Sequence, residues 1–203
     1  MKKIDVFAAL NLGLFLVLGV FRYYYARFIE YREIEHIEEF FLYAVVILGA
    51  IVVLWWFFRQ HRFDAGILIL LELGIVMHFS GTLVLIDGGR LYDAQVLGIR
   101  YDKYVHFVNT FTTTLLVSRL FEMQRIAFTL VNRVFLLMVV LGLGGLFEIV
   151  EYVAVQTVST NGVGGYDNNM QDLIANLCGS LSFLILSPAL ARRPRQERGA
   201  DGG

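Results

Sequence analysis

Residues 131–154 read VNRVFLLMVVLGLGGLFEIVEYVA. A run of this length and composition meets the requirement for crossing a bilayer, roughly 20 apolar residues for about 30 Å of hydrocarbon at 1.5 Å per residue. Near its end it carries two acids, Glu148 and Glu151. A charge at mid-bilayer costs roughly 2.5–3.5 kcal/mol even on lenient insertion scales, so acids in such a segment are usually kept for a task.

Five other apolar segments flank this one, at approximately 5–22, 40–58, 64–86, 104–121 and 173–190. The chain is 57% hydrophobic, with a mean hydropathy of +0.63. Soluble domains are typically about 45–50% apolar, and here the excess is gathered in blocks. The expected fold is therefore all-α: a polytopic membrane protein built as one bundle of six transmembrane helices over residues 1–191. A basic tail, 192–203, is expected to be disordered on the cytoplasmic side. Lys2-Lys3 followed by an apolar run imitates a signal peptide, but no small-x-small cleavage site follows, so the run reads as an uncleaved first span.

With six spans the termini share a side. That side collects eleven Lys and Arg, against six on the other. The positive-inside rule then places both termini in the cytoplasm of a cell whose inner membrane holds the protein. Residues 26–39 combine charge with spaced Ile and Phe and read as an interfacial helix or an outward extension of the second span. Asp87-Gly88-Gly89-Arg90 signals a turn, and the polar stretch 157–171 reads as irregular. Cys178 has no internal disulfide partner and reads as a helix-packing residue. A net charge of −1 gives no reason to expect nucleic acid.

This topology brings unusual polar residues to one level of the membrane. His78 lies in the outer half of the third span, Asp102 and His106 at the mouth of the fourth, Glu148 and Glu151 near the outer end of the fifth, and Asp172 and Asn176 at the start of the sixth. Each pair is spaced i,i+3 or i,i+4 and so shares a helix face. Two imidazoles and several carboxylates around one cavity suit Zn²⁺, Mn²⁺ or Fe²⁺. In that scheme His78, His106 and Asp172 are the first-choice ligands. Glu148 or Glu151 is a further ligand or the general base, and Asp102 joins them as an acid–base candidate. Glu72, six residues before His78, is a candidate relay group. The threonines after His106 are expected to bond their own helix backbone, and Gly142, Gly144 and Gly145 to admit a close neighbour. No HExxH, nucleophile elbow or cysteine cluster is present.

Three elements together carry a resemblance: Tyr-Asp-Lys-Tyr-Val-His-Phe at 101–107, Glu-Ile-Val-Glu-Tyr at 148–152 and Asp-Leu-Ile-Ala-Asn-Leu-Cys-Gly at 172–179. In this order they resemble the uncharacterised YjdF-type inner-membrane proteins and are similar, more distantly, to the VanZ-like family. His-Phe-Ser-Gly at 78–81 looks like the YjdF-type His-x-x-Gly. The resemblance covers roughly residues 70–185 and implies functional positions at His78, Gly81, Asp102, Lys103, His106, Glu148, Glu151, Asp172, Asn176 and Gly179. It departs from the pattern at Asp167, where the YjdF type tends to have Asp-Thr. It brings no established activity.

The resulting expectation is a membrane-embedded hydrolase or transferase. It would depend on a divalent metal such as Zn or Mn, and its polar site would meet a lipid or lipid-linked envelope substrate at the outer leaflet. The alternatives are a transporter or proton-binding protein using the same groups as a relay, and an accessory protein whose polar residues only tie helices together.

Overall fold

The computed structural model describes residues 1–23, 37–61, 63–157 and 165–191. The charged segment 24–36 and the tail 192–203 lie outside the described residues. Among the described residues there are six α-helices: α1 (Lys3–Tyr23), α2 (Ile37–Phe58), α3 (Ala65–Leu83), α4 (Tyr101–Met123), α5 (Leu130–Thr157) and α6 (Tyr166–Ala191). Three of them contain stretches long and apolar enough to cross a membrane: Ala65–Leu83, Leu130–Val153 and Tyr166–Ser187. A shorter apolar stretch, Ala44–Phe58, lies in α2.

α4 is the hub. It packs against α3, α5 and α6, and no residue between Tyr101 and Phe121 is exposed. Its composition explains why. Asp102, Lys103, Thr110, Thr112, Thr114 and Ser118 are buried polar residues on this one helix, and lipid would reject most of its faces. Thr110, Thr113 and Thr114 donate to carbonyls four residues back, as expected for hydroxyls in a span. The outer helices present the complementary pattern. Leu130, Val134 and Met138 form an exposed i,i+4 row on α5, and Phe135, Leu146 and Ile149 extend that apolar surface. A stripe of this size would be a liability in water and is at home against lipid tails.

Glycine sets the distance at the tightest helix crossings. A Cβ on Gly179 of α6 would run into the carbonyl oxygen of Phe107 and the hydroxyl of Thr110, both on α4. A Cβ on Gly144 of α5 would lie 2.9 Å from Asn176 Nδ2 on α6. The neighbouring Gly142 and Gly145 face open space, so of the three α5 glycines only Gly144 serves the close approach.

One end of the bundle is closed by α1 and α2. Lys2 Nζ donates to the Arg59 carbonyl at 2.8 Å, Trp55 Nε1 donates to Asp5 Oδ1 at 3.1 Å, and the Arg59 guanidinium stacks over Trp55 and Trp56. Beneath this clamp Ile4, Phe7, Ile51, Phe63 and Leu68 form an apolar cluster. The other end carries two small antiparallel hairpins: β1 (Leu85–Ile86) with β2 (Gly89–Arg90), and β3 (Gln95–Val96) with β4 (Ile99–Arg100). A 3-10 turn, Leu91–Asp93, joins them.

Both hairpins reverse at a residue pair with positive φ, Asp87-Gly88 (52° and 80°) and Leu97-Gly98 (52° and 79°). This is the twist-matched two-residue turn that favours Asp-Gly. The first turn is signalled by its sequence. The second is not, because a leucine in the left-handed region is uncommon. The reversal at Asp87-Gly88 also ends α3 at Leu83, short of the expected 86. α6 begins at Tyr166, seven residues before the expected 173, and its first turn carries Asn168, to which Arg100 and Lys103 both donate. Cys178 is exposed on α6 and is not a packing residue.

Replacing Gly179 by Ala is expected to force α4 and α6 apart, at a cost of about 1–3 kcal/mol for overpacking. The check is the thermal midpoint of the purified protein in detergent. Gly179→Ala should melt several degrees below wild type, whereas Gly142→Ala should not fall.

Candidate functional site

At the hairpin end, α4 and α6 are joined by a buried ionic network. Lys103 Nζ lies 2.7 Å from Asp172 Oδ1, 3.0 Å from Asp102 Oδ2 and 2.8 Å from Asn168 Oδ1. Asn168 Nδ2 donates to the other Asp172 oxygen at 2.8 Å, one helical turn away. Arg100 reaches in from the rim, 2.9 Å from Asn168 Oδ1 and 2.7 Å from Asp93. Asp102, Lys103 and Asp172 are all buried.

His106 continues this network one turn deeper. Its Nε2 faces Asp172 Oδ1 at 3.3 Å and its Nδ1 faces Asn176 Oδ1 at 3.3 Å, in the amide orientation assigned to Asn176. A neutral imidazole has one N–H, so it can donate to only one of these oxygens. The other contact sets a nitrogen lone pair against an oxygen lone pair, an arrangement that a shared cation or proton resolves.

Glu148 arrives from α5. It is 7% exposed, and both carboxyl oxygens lack a hydrogen-bond partner among the described residues. One oxygen each from Glu148 and Asp172 and one ring nitrogen of His106 lie within 4.8 Å of one another. Buried charges are tolerated when paired or when they bind a metal. Among the described residues, three buried carboxyl groups (Asp102, Asp172 and Glu148) face a single buried ammonium, Lys103. Arg100 Nη2 also lies 3.4 Å from Asp102 Oδ2, so one negative charge is left over when all three acids are ionised, and a bound cation would balance it.

The structure distributes the other sequence candidates as follows. Asn176 is buried beside His106 and Gly144. Glu151 is half-buried and lines the same cavity as Asp102, His106 and Asp172. His78 lines that cavity too, but it stands outside the group of three: its Nδ1 meets the hydroxyl of Tyr92, and the two rings pack edge-on. Glu72 is apart from the site. Its Oε2 accepts from Asn11 Nδ2 at 2.9 Å and so ties α3 to α1. The residues that sequence reasoning missed are Tyr92, Arg100 and Asn168. They lie in the hairpin segment and the first turn of α6, where no apolar periodicity signals an orientation.

The cavity has a volume of about 460 Å³. Its hairpin end is lined by Arg90, Arg100, Asp102, His106, Glu151 and Asp172. Its opposite end is lined by Phe7, Ile47, Ile51, Leu54, Leu71 and Leu116, several of which belong to the apolar cluster under the α1–α2 clamp. The volume lies within the roughly 300–1,000 Å³ usual for ligand sites.

A family model described as a predicted membrane protein (DUF2238) matches residues 9–193. The chain belongs to this family, which is the same as the YjdF type that the motifs resemble. Nothing matches among the curated proteins or among the solved structures.

Removing Lys103 leaves Asp102 and Asp172 buried without their ammonium, and breaking a buried pair in this way typically costs about 3–5 kcal/mol. Lys103→Met is expected to lower the thermal midpoint sharply, and adding Asp172→Asn is expected to restore part of the loss. A Lys103→Met protein that melts with wild type would show that the network contributes nothing to stability.

Proposed function

We propose that this member of the family is a membrane-embedded, divalent-metal-dependent hydrolase or transferase acting on a lipid or lipid-linked substrate. The observation that carries this reading is the convergence of His106, Glu148 and Asp172 from three helices, with both Glu148 oxygens buried and without a hydrogen-bond partner among the described residues. One imidazole and two carboxylates form a mixed N/O set suited to Zn²⁺, Mn²⁺ or Fe²⁺. Such an ion would polarise a phosphoryl or acyl oxygen and activate a water or hydroxyl nucleophile. Glu151 on the cavity wall is placed for proton transfer, while Lys103 and Asn168 hold Asp172 in position.

In the same reading all six helices cross the membrane as one domain. The hairpins face the periplasmic or external side, and both termini are in the cytoplasm of an inner-membrane protein. α4 is too polar to count as a span by composition alone, but its enclosure by its neighbours supports its place in the bundle. The excess of Lys and Arg at the Lys2 end supports the orientation.

The shape of the cavity favours an enzyme over a transporter. A proton or ion path would continue through polar groups past Glu72, whereas the inner half of this cavity is lined by Phe, Ile and Leu and does not reach Glu72. An accessory role would predict polar groups that satisfy one another, which Glu148 does not.

Elemental analysis of the purified protein decides the central claim. Wild type is expected to carry about one transition-metal ion per chain. Glu148→Gln and His106→Ala are each expected to lose most of it while remaining folded. A wild type without metal after dialysis against Zn²⁺ and Mn²⁺ would overturn the reading.

A further inference from the structure

We infer that the cavity takes a single-tailed amphiphile with an oxyanion head, tail first, and that the head rests beside the His106–Glu148–Asp172 group. The inference builds on the proposed metal centre for the position of the head. Its tail half stands on the cavity alone.

Length and polarity set the tail. Along α4, fourteen residues separate Asp102 at the polar end from Leu116 at the apolar end, about 21 Å at 1.5 Å per residue. A bilayer core of about 30 Å holds two leaflets, so one acyl chain of ordinary length fits this distance. The walls change character only once along the way. Polar groups crowd the hairpin end, and beyond Thr113 the lining is Ile, Leu and Phe from α1 to α4. A compact polar substrate would leave the deep half unmatched, because apolar cavities do not hold water well.

The head follows from the rim. Arg90 and Arg100 line the mouth together with the acidic group. With a divalent ion on His106, Glu148 and Asp172, the local charge suits a phosphate or carboxylate, which can ligate the ion and accept from a guanidinium. A neutral alcohol offers neither interaction with comparable strength. The shared chemistry is one alkyl chain ending in an oxyanion, whether free fatty acid or lysophospholipid.

The protein holds its own depth gauge. Its only two tryptophans, Trp55 and Trp56, sit together on α2 at the apolar end, and Trp55 packs against the cluster that floors the cavity. Trp56 is exposed to the surroundings, so a Trp56→Phe protein leaves Trp55 as the single reporter. This protein, in detergent and loaded with Zn²⁺, is titrated with palmitate brominated at the chain terminus. Saturable quenching is expected, near one equivalent per chain. Palmitate brominated at carbon 2 should compete for the site without quenching. Two filling variants on opposite walls, Ala50→Phe and Thr113→Phe, are each expected to abolish the saturable component, with melting curves and metal content showing that the protein and its metal centre persist.

Quenching that never saturates, or that survives in a folded filling variant, would overturn the tail site. Terminally brominated lysophosphatidate should quench too; tighter binding than palmitate assigns the head to a phosphate, and weaker binding assigns it to a carboxylate. Hexadecanol brominated at its terminus should bind at least tenfold more weakly, and equal binding would overturn the oxyanion head. A brominated diacyl phosphatidate that quenches where single chains do not would overturn the single-tail claim. Metal content measured on the same samples keeps the two readings distinct. Saturable quenching without metal refutes the metal centre alone, and metal without saturable quenching refutes the tail site alone.

Discussion

The structure depends on one buried ammonium. Lys103 sits between Asp102 on its own helix and Asp172 on α6, and none of the three reaches the surface. Desolvating each ion costs several kcal/mol, and mutual attraction offsets that cost only when the geometry is good and the remaining donors and acceptors are satisfied. Asn168 supplies that satisfaction for both Lys103 and Asp172. The consequence is architectural. A helix carrying this network cannot face lipid, so α4 lies inside and the apolar helices surround it. Gly179 and Gly144 then let α6 close in on its partners.

This constraint also explains which parts of the site could be read from the chain. An acid or imidazole in a span must turn inward, and helical spacing then fixes which residues turn with it. The structure brings Asp102, His106, Asp172 and Asn176 together with Glu148 nearby, and each lies on a long helix where the cost of charge in lipid constrains which face turns inward. That reasoning fails for His78, whose ring is claimed by Tyr92. Tyr92 lies in a hairpin segment with no apolar period, so its approach leaves no mark in the sequence. The second hairpin is hidden for a related reason, since Leu97 takes a backbone conformation that leucine seldom adopts. Tyr166 to Gln171 look like loop by composition, so the early start of α6 leaves no mark in the sequence; there Asn168 joins the ionic network.

The same network bears on the metal. Asp172 is well supplied with donors, which raises the question whether Lys103 serves in place of an ion. Charge and geometry argue otherwise. Lys103 and Arg100 are two cations against three buried carboxyl groups, and both of them pair with Asp102. Glu148 approaches from α5, and one of its oxygens lies within 4.8 Å of a His106 ring nitrogen and an Asp172 oxygen. Its two oxygens receive no donor from the described residues, although a single asparagine, as at Asn168, would have served. An unsatisfied buried carboxyl costs more than the net gain of most hydrogen bonds, so a fold that retains one gains something when a ligand arrives. In the proposed metal centre Lys103 and the ion would have separate duties: the first holds Asp102 and Asp172 together in the folded protein, and the second would bind between His106, Glu148 and Asp172. The adjoining cavity gives that space a purpose. Its polar end coincides with the unpaired acid, and its apolar end lies a helix length away, so the one molecule able to satisfy both is itself polar at one end and apolar along the rest.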